Sequence, residues 1–154
     1  MHIESLESRR LLATFAVASL DDAGPLTLRQ AILDANASPG ADVIDLSAVA
    51  GTILLTSGEI AITEQVAIEG PGREVLTIDA QGMSRIFHAT FSAGSLSLAG
   101  LTLTNGKTTA DNQGGGALRT NTFGDVTIAA CAFRGNATEG NRSGGGAISS
   151  ALDV

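Results

Sequence analysis

Two stretches of the chain repeat one another at a fixed offset of thirty residues. Leu96, Leu98, Leu101, Leu103 and the run Gly114-Gly115-Gly116-Ala117-Leu118 return as Val126, Ile128, Cys131, Phe133 and Gly144-Gly145-Gly146-Ala147-Ile148. Thr108 is answered by Thr138 and Asp111 by Asn141, and weaker traces reach back to Val66, Ile68 and Gly70. A period between about 20 and 50 residues marks units that bury an apolar face only against their neighbours in a stack.

Within a unit the apolar spacing says what is stacked. Leu96 and Leu98 alternate as in a strand with one face buried. Leu98 to Leu101, and Ile128 to Cys131, are three apart, which would put them on opposite faces of a straight strand. A corner at Ala99-Gly100, and again at Ala129-Ala130, lets both point inward. Upstream, Ile44 and Leu46, Ile53 and Leu55, Ile60 and Ile62, Val66 and Ile68, and Leu76 and Ile78 read as further short strands, separated by glycine-containing or polar turns. No helix pattern intervenes between them, which argues against a doubly wound α/β fold, since that fold needs a helix at nearly every crossover. The expected fold is all-β, a right-handed parallel β-helix (solenoid) of about five coils with one N-terminal capping α-helix; the hand follows from the handedness of parallel crossovers. Composition agrees: 19 glycines in 154 residues exceed the roughly 7% of ordinary chains, and no Trp or Tyr is present.

The capping helix is expected at about residues 27–37. Leu28, Ala31, Ile32 and Ala35 form one apolar stripe, Thr27 is placed to N-cap with Gln30 as its capping-box partner, and Ser38-Pro39-Gly40 ends the run. Residues 1–20 read differently. Arg9 and Arg10 precede an apolar stretch too short to span a bilayer, with small residues near its end, which are features of an export leader. The chain therefore divides into a leader (1–20), a cap (21–40) and coils (41–154). The sequence stops as another strand begins after Gly146, without a capping helix or polar last coil. The expectation is a C-terminally truncated piece of a longer repeat protein, or an open end that pairs with something.

Several motifs carry a family resemblance. Thr27-Leu28-Arg29-Gln30-Ala31-Ile32 resembles the C-S-L-R-E-A-I helix that begins many secreted bacterial right-handed β-helix proteins, with Leu26 and Thr27 in place of Cys and Ser. Leu76-Thr77-Ile78-Asp79-Ala80-Gln81-Gly82 is similar to their L-T-I-D-G-x-G turn. The Gly-Gly-Ala-Leu and Gly-Gly-Ala-Ile runs and Phe133-Arg134-Gly135-Asn136 resemble the G-G-A-I and F-x-x-N repeats of polymorphic outer-membrane proteins. Leu6-Glu7-Ser8-Arg9-Arg10-Leu11-Leu12 resembles the L-E-P-R-x-L-L motif of large exported bacterial proteins, with Ser8 in place of Pro. The resemblance implies a pectin lyase-like solenoid at the bacterial cell surface or outside the cell. It says little of function, because such surfaces host unrelated activities.

Chemistry is sparse in the sequence. Net charge −7 with nine Lys and Arg argues against nucleic acid as a partner. Asp42 and Asp45 flank a strand, and Asp79 sits in a turn; turn and capping roles explain all three. Arg85 and Arg119 have no acidic partner evident from spacing. His88 has no second histidine near it in sequence, and His2 belongs to the leader. Cys131 repeats Leu101 and reads as a small buried hydrophobe. Asn36, Asn136 and Asn141 head Asn-x-Ser/Thr triplets that turn formation explains. Asn105-Gly106-Lys107-Thr108 lacks the first glycine of a phosphate-binding loop and follows no strand-to-helix pattern. No residue is assigned a catalytic, cofactor-binding or metal role, and no cofactor is expected. The leading expectation is a non-catalytic extracellular or surface module, structural or adhesin-like, whose partners are surface polysaccharide or further coils. The alternative is a polysaccharide lyase or glycoside hydrolase of the pectin-degrading type, although the paired carboxylates such chemistry needs are dispersed here.

Overall fold

The computed structural model describes residues 12–121, 124–142 and 144–150. His2, Arg9, Arg10, Leu6 to Leu11 of the N-terminal motif, Ser143, and the strand expected to run on to residue 152 lie wholly or partly outside them. The first elements are β1 (Thr14–Ala16) and α1 (Leu28–Ala37), followed by β2 (Asp42–Asp45), β3 (Gly51–Leu54), β4 (Ile60–Ile62), β5 (Val66–Glu69), β6 (Leu76–Asp79) and β7 (Phe87–Ala89). Then come β8 (Leu96–Ala99), β9 (Thr102–Thr104), β10 (Lys107–Thr108), β11 (Leu118–Thr120), β12 (Val126–Ala129), β13 (Ala132–Arg134), β14 (Ala137–Thr138) and β15 (Ile148–Ser150).

The strands form parallel sheets, with one helix beside them. The chain visits three sheets in rotation: β2, β5, β8 and β12 lie in one, β3, β6, β9 and β13 in a second, β4, β7, β11 and β15 in a third. β1 lies on the outer edge of β2, and β10 pairs with β14 in a small fourth sheet. Among the described residues no sheet closes on itself. Leu98 sits between Ile68 and Ile128 in register, so the thirty-residue echo is a spatial stack. The earlier offsets are shorter in places. Ile44 pairs with Ile68 and Ile78 with Leu103, at offsets of 24 and 25, whereas Ile68 with Leu98 and Leu98 with Ile128 keep the full thirty.

Inward side chains of all three sheets share one core. Ile44, Ile53, Ile62, Ile68, Ile78, Leu98 and Leu103 are fully buried in it. The corner anticipated at residues 99–100 is built on positive φ: Gly100 has φ +65° and Ala130, thirty residues on, +51°. A Cβ on Gly100 would come within 2.6 Å of the Gly70 carbonyl of the neighbouring rung, so the close approach there requires glycine.

α1 buries Leu28, Ala31, Ile32 and Ala35, the stripe read from the sequence, and Thr27 Oγ1 accepts from Gln30 N at 3.2 Å. The reciprocal half of the capping box does not form. Gln30 Nε2 instead donates to Asp34 Oδ1 at 2.8 Å, one turn along the helix. Asp22, in the turn-forming run Asp21-Asp22-Ala23-Gly24-Pro25, is a buried hub. Its Oδ1 accepts from Arg29 Nε and Nη2 at 3.0 and 2.8 Å, and its Oδ2 from Thr56 and Ser57. Burial alone would raise this carboxyl, but the bonds from Ser57, Arg29 and Thr56 outweigh it and hold it below the ordinary value. One carboxylate thereby ties α1 to the turn that follows β3.

Candidate functional site

Two features stand out on the third sheet and the turns around it. The first is a charged cluster on its outer side. Register stacks Ala61, His88, Arg119 and Ser149 on successive strands β4, β7, β11 and β15. Arg85, just ahead of β7, lies under them with only 4% of its side chain exposed. Its Nη1 donates to Glu59 Oε2 at 2.6 Å, its Nε to the Gly115 carbonyl at 2.9 Å, and its Nη2 to Gln113 Oε1 and the Gly114 carbonyl at 3.1 and 3.3 Å. One guanidinium thus clamps three successive rungs.

The expectation that Arg85 lacks an acidic partner is corrected: Glu59 lies 26 residues earlier in sequence and one rung away in space. Parallel sheets visited in rotation bring such pairs together at roughly the spacing between paired strands, a distance that helix- or hairpin-based searches do not consider. Arg119 has no acidic partner among the described residues. Its Nη1 donates to Gln113 Oε1 at 2.7 Å and to the Asn112 carbonyl, and its Nε to Asn121 Oδ1.

Glu59 also faces His88, with Oε1 at 3.4 Å from Nδ1. The His88 hydrogen bond, against the penalty of burial and aided by the Arg85 charge, holds Glu59 below the usual carboxylate range. Burial pulls Arg85 below its ordinary value, opposed by Glu59. His88 Nε2 is enclosed with no hydrogen-bond partner among the described residues, so the histidine is satisfied on one nitrogen only. The glycine triplet serves this cluster. Its carbonyls receive Arg85, and Gly115, at φ +72°, has the Leu118 carbonyl where a Cβ would stand.

The second feature is a groove of about 600 Å³ at the exit of the same sheet. Thr63, Thr90 and Asn121 follow in-register residues of β4, β7 and β11 and line it with Glu64, Gln65, Phe91, Ser92 and Ala93. The two features contrast chemically. Arg85, Glu59 and Gln113 are spent on one another and on backbone carbonyls. The groove presents hydroxyl, amide and carboxylate groups from Thr63, Glu64, Gln65, Thr90 and Ser92 toward solvent. No sequence motif marks it, because its residues come from three turns spaced 27 and 31 positions apart.

The remaining candidates have structural roles. Asp42 is buried at the start of β2, where its Oδ1 accepts from Ala13 N at 3.1 Å and its Oδ2 has no partner among the described residues. Asp45 accepts from Ser47 N at 2.9 Å and Asp79 from Gln81 N at 2.7 Å, both turn contacts. Asp79 also accepts from Asn105 Nδ2 one rung on. Asn36 joins the end of α1 to β4 through the Ala61 carbonyl and Thr63 N, and Asn136 bonds Gly106 N and the Leu103 carbonyl. Asn141 N donates to Asp111 Oδ1 at 2.7 Å, the pair matched by the repeat.

Lys107 and Thr108 lie in β10, with Lys107 Nζ 2.8 Å from Glu139 Oε1, so they belong to a rung rather than to a phosphate loop. Cys131 corrects its expectation. It is only partly buried, although Leu101 in the preceding rung is fully so, because no described strand covers the far side of β12 and β13.

Among the described residues no group of three or more His, Cys, Asp or Glu is placed to hold a metal ion, and no helix is long and apolar enough to cross a membrane. Comparison of the chain with protein-family models, curated proteins and solved structures returned no match.

Proposed function

We propose that the rotating strands are the faces of a right-handed parallel β-helix capped by α1. We further propose that the chain is a non-catalytic extracellular or cell-surface module that binds polysaccharide along the outside of the stack. The cyclic order of strands among three parallel sheets supports the architecture, and the strong right-handed preference of parallel crossovers supplies the hand. The basic start and apolar stretch of the N-terminal sequence support export.

The observation that carries the binding reading is the contrast on the third sheet. The charged cluster is consumed in holding rungs together, while the neighbouring groove offers hydroxyl, amide and carboxylate groups on steps about 4.8 Å apart. Polyhydroxylated ligands are recognised by such groups, through direct or water-bridged hydrogen bonds. The test is a glycan array followed by titration of hits against Glu64→Ala and Thr90→Val. Binding that both substitutions weaken supports the reading; binding that neither alters, or an array without hits, overturns it.

A second reading is a polysaccharide lyase or glycoside hydrolase of the β-helix type. Glu59, His88 and Arg119 favour it, since Glu59 contacts His88, His88 pairs in register with Arg119, and Arg119 reaches Asn121 of the groove, which gathers a carboxylate, an imidazole and a guanidinium on one sheet. Release of unsaturated or reducing sugars from acidic polysaccharides, with and without Ca²⁺, would establish it.

A further inference from the structure

The segment whose composition suggests a removable leader is built into the fold. β1 pairs in parallel with β2, with Thr14, Phe15 and Ala16 opposite Val43, Ile44 and Asp45. Backbone bonds fix both ends of the pairing: Val43 N donates to the Ala13 carbonyl at 2.8 Å, and Val17 N to the Asp45 carbonyl at 2.9 Å. Ala18 and Ser19 both donate to the Leu26 carbonyl, at 2.9 and 3.1 Å. Val17 is fully buried in the common core, and Phe15 packs against it. Ala13 N is the one partner of the buried Asp42 carboxylate among the described residues.

The small residues Ala16, Val17, Ala18 and Ser19 are those an export peptidase would select by size. A cut after Ala16 or Ala18 would remove β1, strip Asp42 of its donor and leave the β2 edge and the start of the core open. We propose that residues 12–20 are the first rung of the mature domain, so that the exported protein begins at or before Leu12. The maturation part of this inference rests on the export reading above; the placement of the rung does not.

The test uses the full chain in two arms. Expressed in an exporting bacterium and recovered outside the cytoplasm, the folded protein is expected to have an intact mass that includes residues 12–20. A folded product beginning at Val17 or Ser19 would overturn the proposal. In the second arm the unprocessed chain is purified and amide exchange is followed. Val17 and Val43 are expected to exchange as slowly as amides of β5 and β8, orders of magnitude below free-chain rates. Free-chain rates at both would overturn the proposal. A chain that never leaves the cytoplasm would refute the export reading alone, and the exchange arm would still decide the first rung.

Discussion

Gly100 and Ala130 occupy the same corner of successive rungs, and the structure assigns opposite signs to exchanging them. Ala130 has φ +51°, where a side-chain-bearing residue costs about 1–2 kcal/mol. Glycine relieves that strain but loosens the unfolded chain by about 0.4–1 kcal/mol. Ala130→Gly should therefore stabilise by about 0.5–1 kcal/mol, a rise in Tm of about 1–4 °C for a chain of this size. Gly100→Ala meets the same left-handed cost at φ +65°, with the unfolded-state term reversed in its favour. It adds a Cβ only 2.6 Å from the Gly70 carbonyl. Neighbouring rungs are held in register by the sheet, so the backbone has little room to retreat, and overpacking of this kind costs about 1–3 kcal/mol. The expected loss is about 2–4 kcal/mol. Thermal unfolding followed by circular dichroism, with urea titration of each variant, reads both changes. A Gly100→Ala protein as stable as its parent, or an Ala130→Gly protein less stable, would refute the stacked-corner argument.

Glu59→Gln leaves Arg85 enclosed without its counter-charge and is expected to cost about 1–2 kcal/mol, discounted because Glu59 is itself 39% exposed. Since the folded carboxyl titrates below its ordinary value of 4.5, its contribution is complete above that pH and is lost as pH falls through the lowered value. Acid unfolding profiles should show that loss in the parent and not in the variant. Asp22→Asn removes the ionic bond to Arg29 and should lower stability by about 1–3 kcal/mol at pH 7, with the difference shrinking below pH 3.8 as the parent's own carboxyl protonates. Thr27→Ala deletes the N-cap acceptor for Gln30 N and should cost about 1 kcal/mol by urea titration.

The alternation of Ile44 with Leu46 and of Leu96 with Leu98, the α1 stripe and the thirty-residue echo carried much of the architecture in one dimension. These are nearest-neighbour patterns, and in a stack the nearest neighbours recur at a regular distance. The sequence hid what depends on pairing across unequal strand spacings. Glu59 and Arg85 meet at a separation of 26, whereas Arg85 and Gln113 meet at 28, so no single period finds both. Asp22 was concealed for another reason. Its run of Asp-Asp-Ala-Gly-Pro has the composition of a solvated turn, and only the approach of Arg29, Thr56 and Ser57 makes it a hub. The groove drew on three turns that share no motif.

The unequal spacings between paired strands have a consequence for how such a chain can change. Strand pairing is set rung by rung through inward side chains: β6 stays in step with β9 although 25 residues separate Ile78 from Leu103, and β9 stays in step with β13 although 30 separate Leu103 from Phe133. Residues added at the bends therefore leave the paired strands and their core untouched and alter only what projects from them. Contour and chemistry of the outer surface are free to diversify by insertion, one bend at a time, without renegotiating the interior.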